Sequence, residues 1–254
     1  MTVFPGWLFT VLLPIVVALA VAVFFFVRAA RKARRTGDPS PVVSVTLSVS
    51  AVVAGVSVMA AVSAAIAPFL PMASVSVPTW DFWPALPEGI ELEGMTAERV
   101  GGGFREAALF LDGLSTGARV CLAIGGALGW LVPGAIAALI GVACFQLLAG
   151  RAFAPVVARV TIITAVVVLV GGIAAGVLND VGSSLAAQEA LAWTSASVAG
   201  DRPGDAELLT SLWPRPAWRV DVPVWPIGAG LGLAALSAVF RYGAGLQRDT
   251  EGLV

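Results

Sequence analysis

Five long apolar stretches without a charged residue constrain the fold of this chain more than any other feature. They run over about 7–27, 42–70, 121–148, 160–178 and 224–240. A helix that crosses a membrane needs about 20 mostly apolar residues. Only 12% of the residues are charged, against roughly 25% in soluble domains. We therefore predict an all-α polytopic membrane protein with about five transmembrane helices.

Two of the stretches need separate arguments. The second begins "VVSVTLSVSAVV" (42–53), which alternates with the period of a strand. We predict a helix there, because a lone strand cannot satisfy its backbone in hydrocarbon, whereas serine and threonine can bond to carbonyls of their own helix. The third stretch exceeds one crossing, so we place its lipid core at about 129–148, with Trp130 at an interface. The residues expected to bend its outer end are Gly125, Gly126, Gly129 and Pro133.

The distribution of basic residues predicts the orientation in the membrane. No positive charge precedes the first stretch, but a basic cluster follows it: Arg28, Arg31, Lys32, Arg34 and Arg35. This order is typical of an uncleaved anchor with its N-terminus outside. Placing the cluster inside puts nine basic residues and three acids on the cytoplasmic side, and six basic residues and thirteen acids outside. We therefore predict a multi-pass protein of the cell membrane with a cytoplasmic C-terminus.

The same alternation divides the chain into two parts. Residues 1–41 form an extra N-terminal transmembrane helix and a basic cytoplasmic loop, and 42–254 form a four-span membrane domain with outer loops at 71–120 and 179–223. We predict a small mixed α/β extracytoplasmic cap from these loops. Its strands are expected at "SVSV" (74–77), "IELE" (90–93) and "WRVDV" (218–222). An amphipathic helix is expected at 104–114, and a second helix, with Asp205 as its N-cap, at 205–213.

The sequence favours no catalytic, cofactor or metal site. Histidine is absent, which removes the commonest general base and metal ligand. The cysteines Cys121 and Cys144 lie too far apart along one helix for a bridge. Carboxylates of the first outer loop could form a divalent-cation site or a solvated acidic surface, and the second interpretation is favoured. They are Asp81, Glu88, Glu91, Glu93, Glu98, Glu106 and Asp112. We predict that the protein is not an enzyme.

Polar and small residues in the spans indicate helix packing. Gln146, Thr161, Thr164 and Asn179 are expected to form interhelical hydrogen bonds. Small residues four apart occur at Gly125/Gly129, Gly172/Gly176 and Gly228/Gly232. These pairs leave a homo-oligomer possible, although such pairs also arise by chance in a chain rich in glycine and alanine.

Two motifs resemble a known bacterial membrane family, domain of unknown function 2975, over about residues 42–254. The inner loop carries Gly150, Phe153, Pro155 and Arg159 ahead of a new span. The C-terminus carries a Phe-x-x-Gly-x-x-Leu tail with acidic residues and a final valine: Phe240, Gly243, Leu246, Asp249, Glu251 and Val254. The chain departs from the family in its extra first span and its longer outer loops. The resemblance implies no catalytic residues, and it implies a cytoplasmic helix-turn-helix regulator as partner.

Together these features predict a non-enzymatic membrane sensor or regulator that acts through a cytoplasmic partner. The alternative is an accessory subunit of a transporter or of another membrane complex. The lipid bilayer is the expected environment in both cases, and direct binding of nucleic acid is not expected.

Overall fold

The computed structural model describes residues 40–84, 94, 96, 97, 100–150, 154–195 and 212–251, and it describes side chains from 41 to 245 within those ranges. The predicted first span and the basic cluster Arg28–Arg35 lie outside the described residues. The elements in chain order are α1 (Ser40–Ile66), a 3-10 turn (Ala67–Phe69), β1 (Ala73–Phe82), β2 (Phe104–Leu111), α2 (Thr116–Leu148), α3 (Pro155–Val166), a π-turn (Val167–Gly171), α4 (Gly172–Leu191) and α5 (Trp225–Glu251).

Four helical segments of the described chain are long and apolar enough to cross a membrane. They are Pro41–Phe69, Thr116–Leu148, Pro155–Leu191 and Trp225–Gly245. The third comprises α3, the π-turn and α4, which follow one another directly along the chain. The chain is therefore mostly helical and fits a multi-pass membrane protein, with four of the five predicted spans among the described residues.

Helix α1 forms although its first half alternates like a strand. Thr46 Oγ1 donates to the carbonyl of Val42 at 2.9 Å, and Ser48 Oγ donates to that of Ser44 at 3.1 Å. These are the bonds from a hydroxyl to its own helix that the sequence predicts. The helix prediction for this stretch is confirmed.

The chain divides into two compact units, of which the first comprises 1–59, 131–170 and 225–254. Here α2 crosses α1 at small residues: a Cβ on Gly134 would lie 2.9 Å from the Cβ of Ser57. Helix α5 packs along α3. A Cβ on Gly230 would lie 3.2 Å from the carbonyl oxygen of Ala165, and the buried Ser237 donates its hydroxyl to the carbonyl of Ala158 at 2.9 Å.

The second unit comprises 60–130 and 171–224, and its helices also meet at glycines. A Cβ on Gly125 would lie 2.7 Å from the backbone nitrogen of Asn179 in α4. One on Gly182 would lie 2.8 Å from the Cγ of Leu122. A real Cβ does not tolerate such distances, so these glycines set how closely α2 and α4 approach.

A two-stranded antiparallel sheet completes the second unit. The register pairs Ala73 with Leu111 and Pro78 with Glu106, and a bulge follows between Pro78 and Phe82. Every second residue at the start of β1 is buried, as is usual for a half-covered strand. This inner face packs on α4 in one core cluster, whose buried members are Ala73, Val75, Val77, Leu114, Ala186, Ala187 and Leu191. The strand predicted at 74–77 is confirmed, and the sheet agrees with a small mixed cap.

The predicted helix at 104–114 is wrong, because β2 occupies 104–111. Ala107, Leu109 and Leu111 alternate toward the core. Ala107 and Leu111 belong equally to a helical stripe and to a strand face, so the pattern was ambiguous. The segment forms a strand because it pairs with β1, and this pairing satisfies its backbone groups.

Three helices extend beyond their predicted bounds. Helix α2 begins at Thr116, before the predicted stretch, and it includes Pro133. Helix α4 continues to Leu191, into the first part of the predicted outer loop at 179–223, where it packs against the sheet. Helix α5 continues to Glu251, so the charged tail is helical as far as that residue.

Candidate functional site

The segment 214–223, which we call the strap, lies extended along one face of α4. It begins after Trp213, whose Nε1 donates to the carbonyl of Leu191 at 2.9 Å. Ser184, buried in α4, then accepts from the amide of Arg219 at 3.1 Å and donates to the carbonyl of the same residue at 3.0 Å. The hydroxyl of Ser184 therefore bonds to both the amide and the carbonyl of Arg219.

Two further contacts continue this arrangement along α4. Asp180 Oδ2 accepts from the amide of Asp221 at 2.8 Å. The ring of Pro223 lies against Gly176, where an added Cβ would be 2.9 Å from the ring carbons. The helix therefore uses residues 176, 180 and 184, and the strap uses 223, 221 and 219.

The spacing of the two segments explains why the contacts repeat. Four residues of α-helix rise about 6 Å, and two residues of extended chain advance about 6.6 Å. An antiparallel strap therefore meets the same helix face at every second residue. Sequence reasoning missed this site, because its signal is only a glycine, an aspartate and a serine four residues apart in α4, which contains other polar residues as well.

The strap is also joined to the sheet. The amide of Trp80 donates to the carbonyl of Arg215 at 3.0 Å, and the amide of Ala217 donates to that of Pro78 at 3.0 Å. An isolated bridge pairs Thr79 with Pro216. The strand predicted at 218–222 does not form, because that part of the strap bonds to α4 instead of to a strand.

Three carboxylates of the second unit accept hydrogen bonds from backbone amides of distant segments. Asp112 Oδ1 accepts from the amide of Met72 at 2.6 Å, where the backbone φ is 55°. Glu189 Oε2 accepts from the amide of Ser115 at 2.7 Å. Ser115 in turn caps α2 by accepting from the amide of Ala118 at 3.2 Å. Together with Asp180, these acids connect elements distant in sequence, and hydrogen bonds of this charged kind are the stronger ones.

The hairpin of β1 and β2 carries an exposed ion pair near the end of β1 and the start of β2. Arg105 Nε lies 2.6 Å from Asp81 Oδ1. The hydrogen bond from this guanidinium holds the pKa of the Asp81 carboxyl below its usual value of 3.8. The rings of Trp83 and Phe104 stack nearby, with centroids 5.3 Å apart.

These contacts also bear on the alternative of a cation site. Three of the proposed acids already have partners. Asp81 accepts from Arg105, Glu106 accepts from Ser76, and Asp112 accepts from the amide of Met72. Within the described ranges no group of three or more potential metal-ligating side chains occurs. The other acids proposed for that site, Glu88, Glu91, Glu93 and Glu98, lie outside the described residues.

The structure brings the two predicted cytoplasmic motifs to one helix pair. Pro155 is the first residue of α3, and Arg159 follows one turn later, while Phe240 and Gly243 lie on α5. The contacts of Ala158 with Ser237 and of Ala165 with Gly230 are seven residues apart on both helices. This antiparallel register places Pro155 level with Phe240.

The remaining motif residues are described less fully. Gly150 has a positive φ of 73° in the turn after α2, a conformation that favours glycine. Leu246, Asp249 and Glu251 belong to the last turns of α5, and their side chains lie outside the described part, as do Phe153 and Val254. The predicted topology residues Arg28, Arg31, Lys32, Arg34 and Arg35 also lie outside it.

The hydroxyl of Thr161, predicted to bond between helices, bonds within its own helix. Thr161 is buried in α3, and its Oγ1 donates to the carbonyl of Val157 in the same helix at 2.7 Å. Ser237, in contrast, forms an interhelical bond to Ala158 of α3. Cys121 and Cys144 are free, as predicted.

Comparison with known proteins adds no relative. No protein-family model matches the chain, and neither the curated proteins nor the solved structures give a significant match. The resemblance to domain of unknown function 2975 therefore stays a prediction.

Proposed function

We propose that the chain is a non-enzymatic sensor or regulator of the cell membrane, with its N-terminus outside and its C-terminus in the cytoplasm. In this proposal the sheet and the strap form the outer sensing part. The helical tail of α5, with the start of α3 beside it, binds a cytoplasmic partner such as a helix-turn-helix regulator.

The proposal rests on the hydrogen bonds that hold the strap against α4. The strap is held by a few polar contacts, of which those of Ser184 and Asp180 go to its backbone. Such bonds contribute about 1 kcal/mol each, so a ligand or a change in the envelope can shift the strap. The strap leads directly into α5, which begins at Trp225, so a shift of the strap acts at the start of the helix that ends in the tail.

A crosslinking pull-down from native membranes tests the proposal. Three forms of the chain are compared: wild type, a chain ending at Phe240, and Gly176→Val, whose side chain would displace Pro223. Gly232→Val is the matched control, because space around Gly232 is open. We expect truncation to abolish capture of a soluble DNA-binding protein, and Gly176→Val to change the captured amount several-fold.

The opposite outcome defines the alternative function. Co-purification with other membrane-spanning proteins, unaffected by truncation or by Gly176→Val, would overturn the proposed regulator. That result would instead favour an accessory subunit of a transporter or of another membrane complex.

A further inference from the structure

The strap carries an apolar row along one side of its extended chain. Trp218, Val220 and Val222, which we call the strap row, are 57, 38 and 57% exposed, and Val224 just after them is 76% exposed. Their spacing of two residues is that of one face of an extended chain. The strap row is therefore an apolar surface that α4 does not cover.

The opposite side of the strap is charged. Arg219 Nε lies 2.7 Å from Asp221 Oδ2, and these two side chains are 49 and 70% exposed. The backbone edge between the two sides faces α4, where Ser184 bonds to Arg219 and Asp180 accepts from the amide of Asp221. The strap thus lies edge-on against α4, and its apolar side and its charged side are both exposed.

The strap lies where the uncharged part of a candidate membrane span ends. Within the span Pro155–Leu191, residues 160–179 carry no charge, and Asp180 is the first acid. An uncharged stretch of this length crosses the hydrocarbon about once, so Asp180 marks the level of the headgroups. Pro223 contacts Gly176, which lies one helical turn, about 6 Å, before Asp180. The end of the strap is therefore at the edge of the hydrocarbon.

The length of α5 leads to the same level. Its uncharged part, 225–240, rises about 24 Å, whereas the hydrocarbon core is about 30 Å thick. A tilt of the helix would shorten this rise further. The uncharged sequence continues in front of α5 through Val222, Pro223 and Val224, as far as Asp221. The end of the strap therefore completes the crossing that α5 is too short to make.

The bonds from α4 also meet the requirement that a membrane places on an extended segment. Where water is scarce, backbone amides and carbonyls need partners within the protein. Ser184 bonds to both groups of Arg219, and Asp180 bonds to the amide of Asp221. Pro223 has no amide to satisfy. Partners for the backbone at each of these positions are what a strap in contact with lipid needs, whereas a strap surrounded by water does not.

We propose that the strap is an interfacial segment in contact with phospholipid. The strap row contacts acyl chains of the leaflet on the side of the sheet, and the ion pair of Arg219 and Asp221 faces the headgroups. Trp218 then lies at the end of the row farthest from α5, level with the headgroups, where tryptophan is enriched. Lipid as the signal of the proposed sensor rests on the proposed function, but the contact itself requires only that α4 and α5 cross a membrane.

Spin-label accessibility in vesicles of phosphatidylcholine and phosphatidylglycerol tests the contact. Val222→Cys and its matched neighbour Asp221→Cys are each made in a full chain whose native cysteines are replaced by alanine, and each is labelled with a nitroxide. Because a polar nickel complex is excluded from hydrocarbon and oxygen is not, we expect the ratio of oxygen to nickel accessibility to be at least about fivefold higher at Val222→Cys. Ser74→Cys in β1 and Leu231→Cys in α5 calibrate water and lipid, since both positions are exposed.

Equal ratios at the two positions would place the strap row in water and overturn the inference. Poor access of both reagents to Val222→Cys would also overturn it, because protein would then cover the row, either another segment of this chain or a second copy. Photocrosslinking in native membranes gives a second measurement, with p-benzoylphenylalanine at position 222. We expect an adduct heavier by one phospholipid, and its absence would contradict the inference. Loss of the regulator in the pull-down changes neither result, so the two proposals fail separately.

Discussion

At the scale of single residues, glycines that face another helix have a different role from those that face open space. Gly125 lies against the backbone of α4, whereas Gly129, one turn along α2, has nothing within 4 Å of an added Cβ. Both share a small-xxx-small pair in the sequence. The sequence therefore predicts that such a pair can allow close packing but not which member makes the contact.

This difference predicts opposite effects of one substitution at the two positions. Gly125→Ala should destabilise the protein by about 1–3 kcal/mol, because its methyl group meets backbone atoms that must move. Gly129→Ala should be neutral or stabilising by up to about 1 kcal/mol, since alanine has the higher helix propensity. Thermal unfolding in detergent measures both, and equal midpoints for the two variants would contradict the α2–α4 contact.

The ion pair of the hairpin gives a prediction about pH. Because Arg105 lowers the pKa of Asp81 in the folded protein, the pair stabilises the fold above the unfolded pKa, near 3.8. This stabilisation is lost as the pH falls through the folded pKa. Carboxyl-carbon NMR of aspartate-labelled protein should place the pKa of Asp81 below 3.8, and Arg105→Gln should raise it. An unchanged pKa in Arg105→Gln would disprove the assignment of the cause.

At the scale of elements, a buried hydrogen bond from Ser237 links α5 to α3. Ser237→Ala removes the bond from Ser237 to the carbonyl of Ala158. The expected loss of stability is about 0.6 kcal/mol and at most about 1.7 kcal/mol, as for other hydrogen bonds between membrane helices. Ser48→Ala is the control, because the Ser48 bond is exposed and lies within one helix. Equal unfolding midpoints for the two variants would argue against this pairing.

The strap predicts a local change in hydrogen exchange. Ser184→Val leaves the amide and carbonyl of Arg219 without their partner, at a cost of about 1–3 kcal/mol each. We expect amide exchange in 217–223 to accelerate about tenfold or more, while Ser183→Val changes it little. Exchange that stays slow in Ser184→Val would show that Ser184 does not hold the strap.

Elements were predictable from the sequence where one periodicity dominated. Long uncharged stretches located the described spans, and "SVSV" located β1, because its alternation matches a half-buried strand. Ala107 and Leu111 fitted both a helix and a strand, so β2 was missed. The extension of α4 past Leu178 depends on contacts of Asp180 and Ser184 with residues about 40 positions away, which local patterns do not contain.

At the scale of the whole molecule, the four described spans and the charge asymmetry belong to one account. The proposed topology puts the sheet and the strap on one side of the membrane and the end of α5 on the other. The turn at Gly150, the start of α3 and the tail then share the cytoplasmic side, where basic residues collect. The proposed cytoplasmic partner depends on this arrangement.

Cysteine labelling in intact cells tests the arrangement most directly. In a chain with Cys121→Ala and Cys144→Ala, Ser76→Cys reports on the sheet and Tyr242→Cys on the end of α5, and both positions are exposed. A membrane-impermeant maleimide should label Ser76→Cys in intact cells and Tyr242→Cys only after permeabilisation. Labelling of both positions from the same side, or of Tyr242→Cys alone in intact cells, would contradict the account.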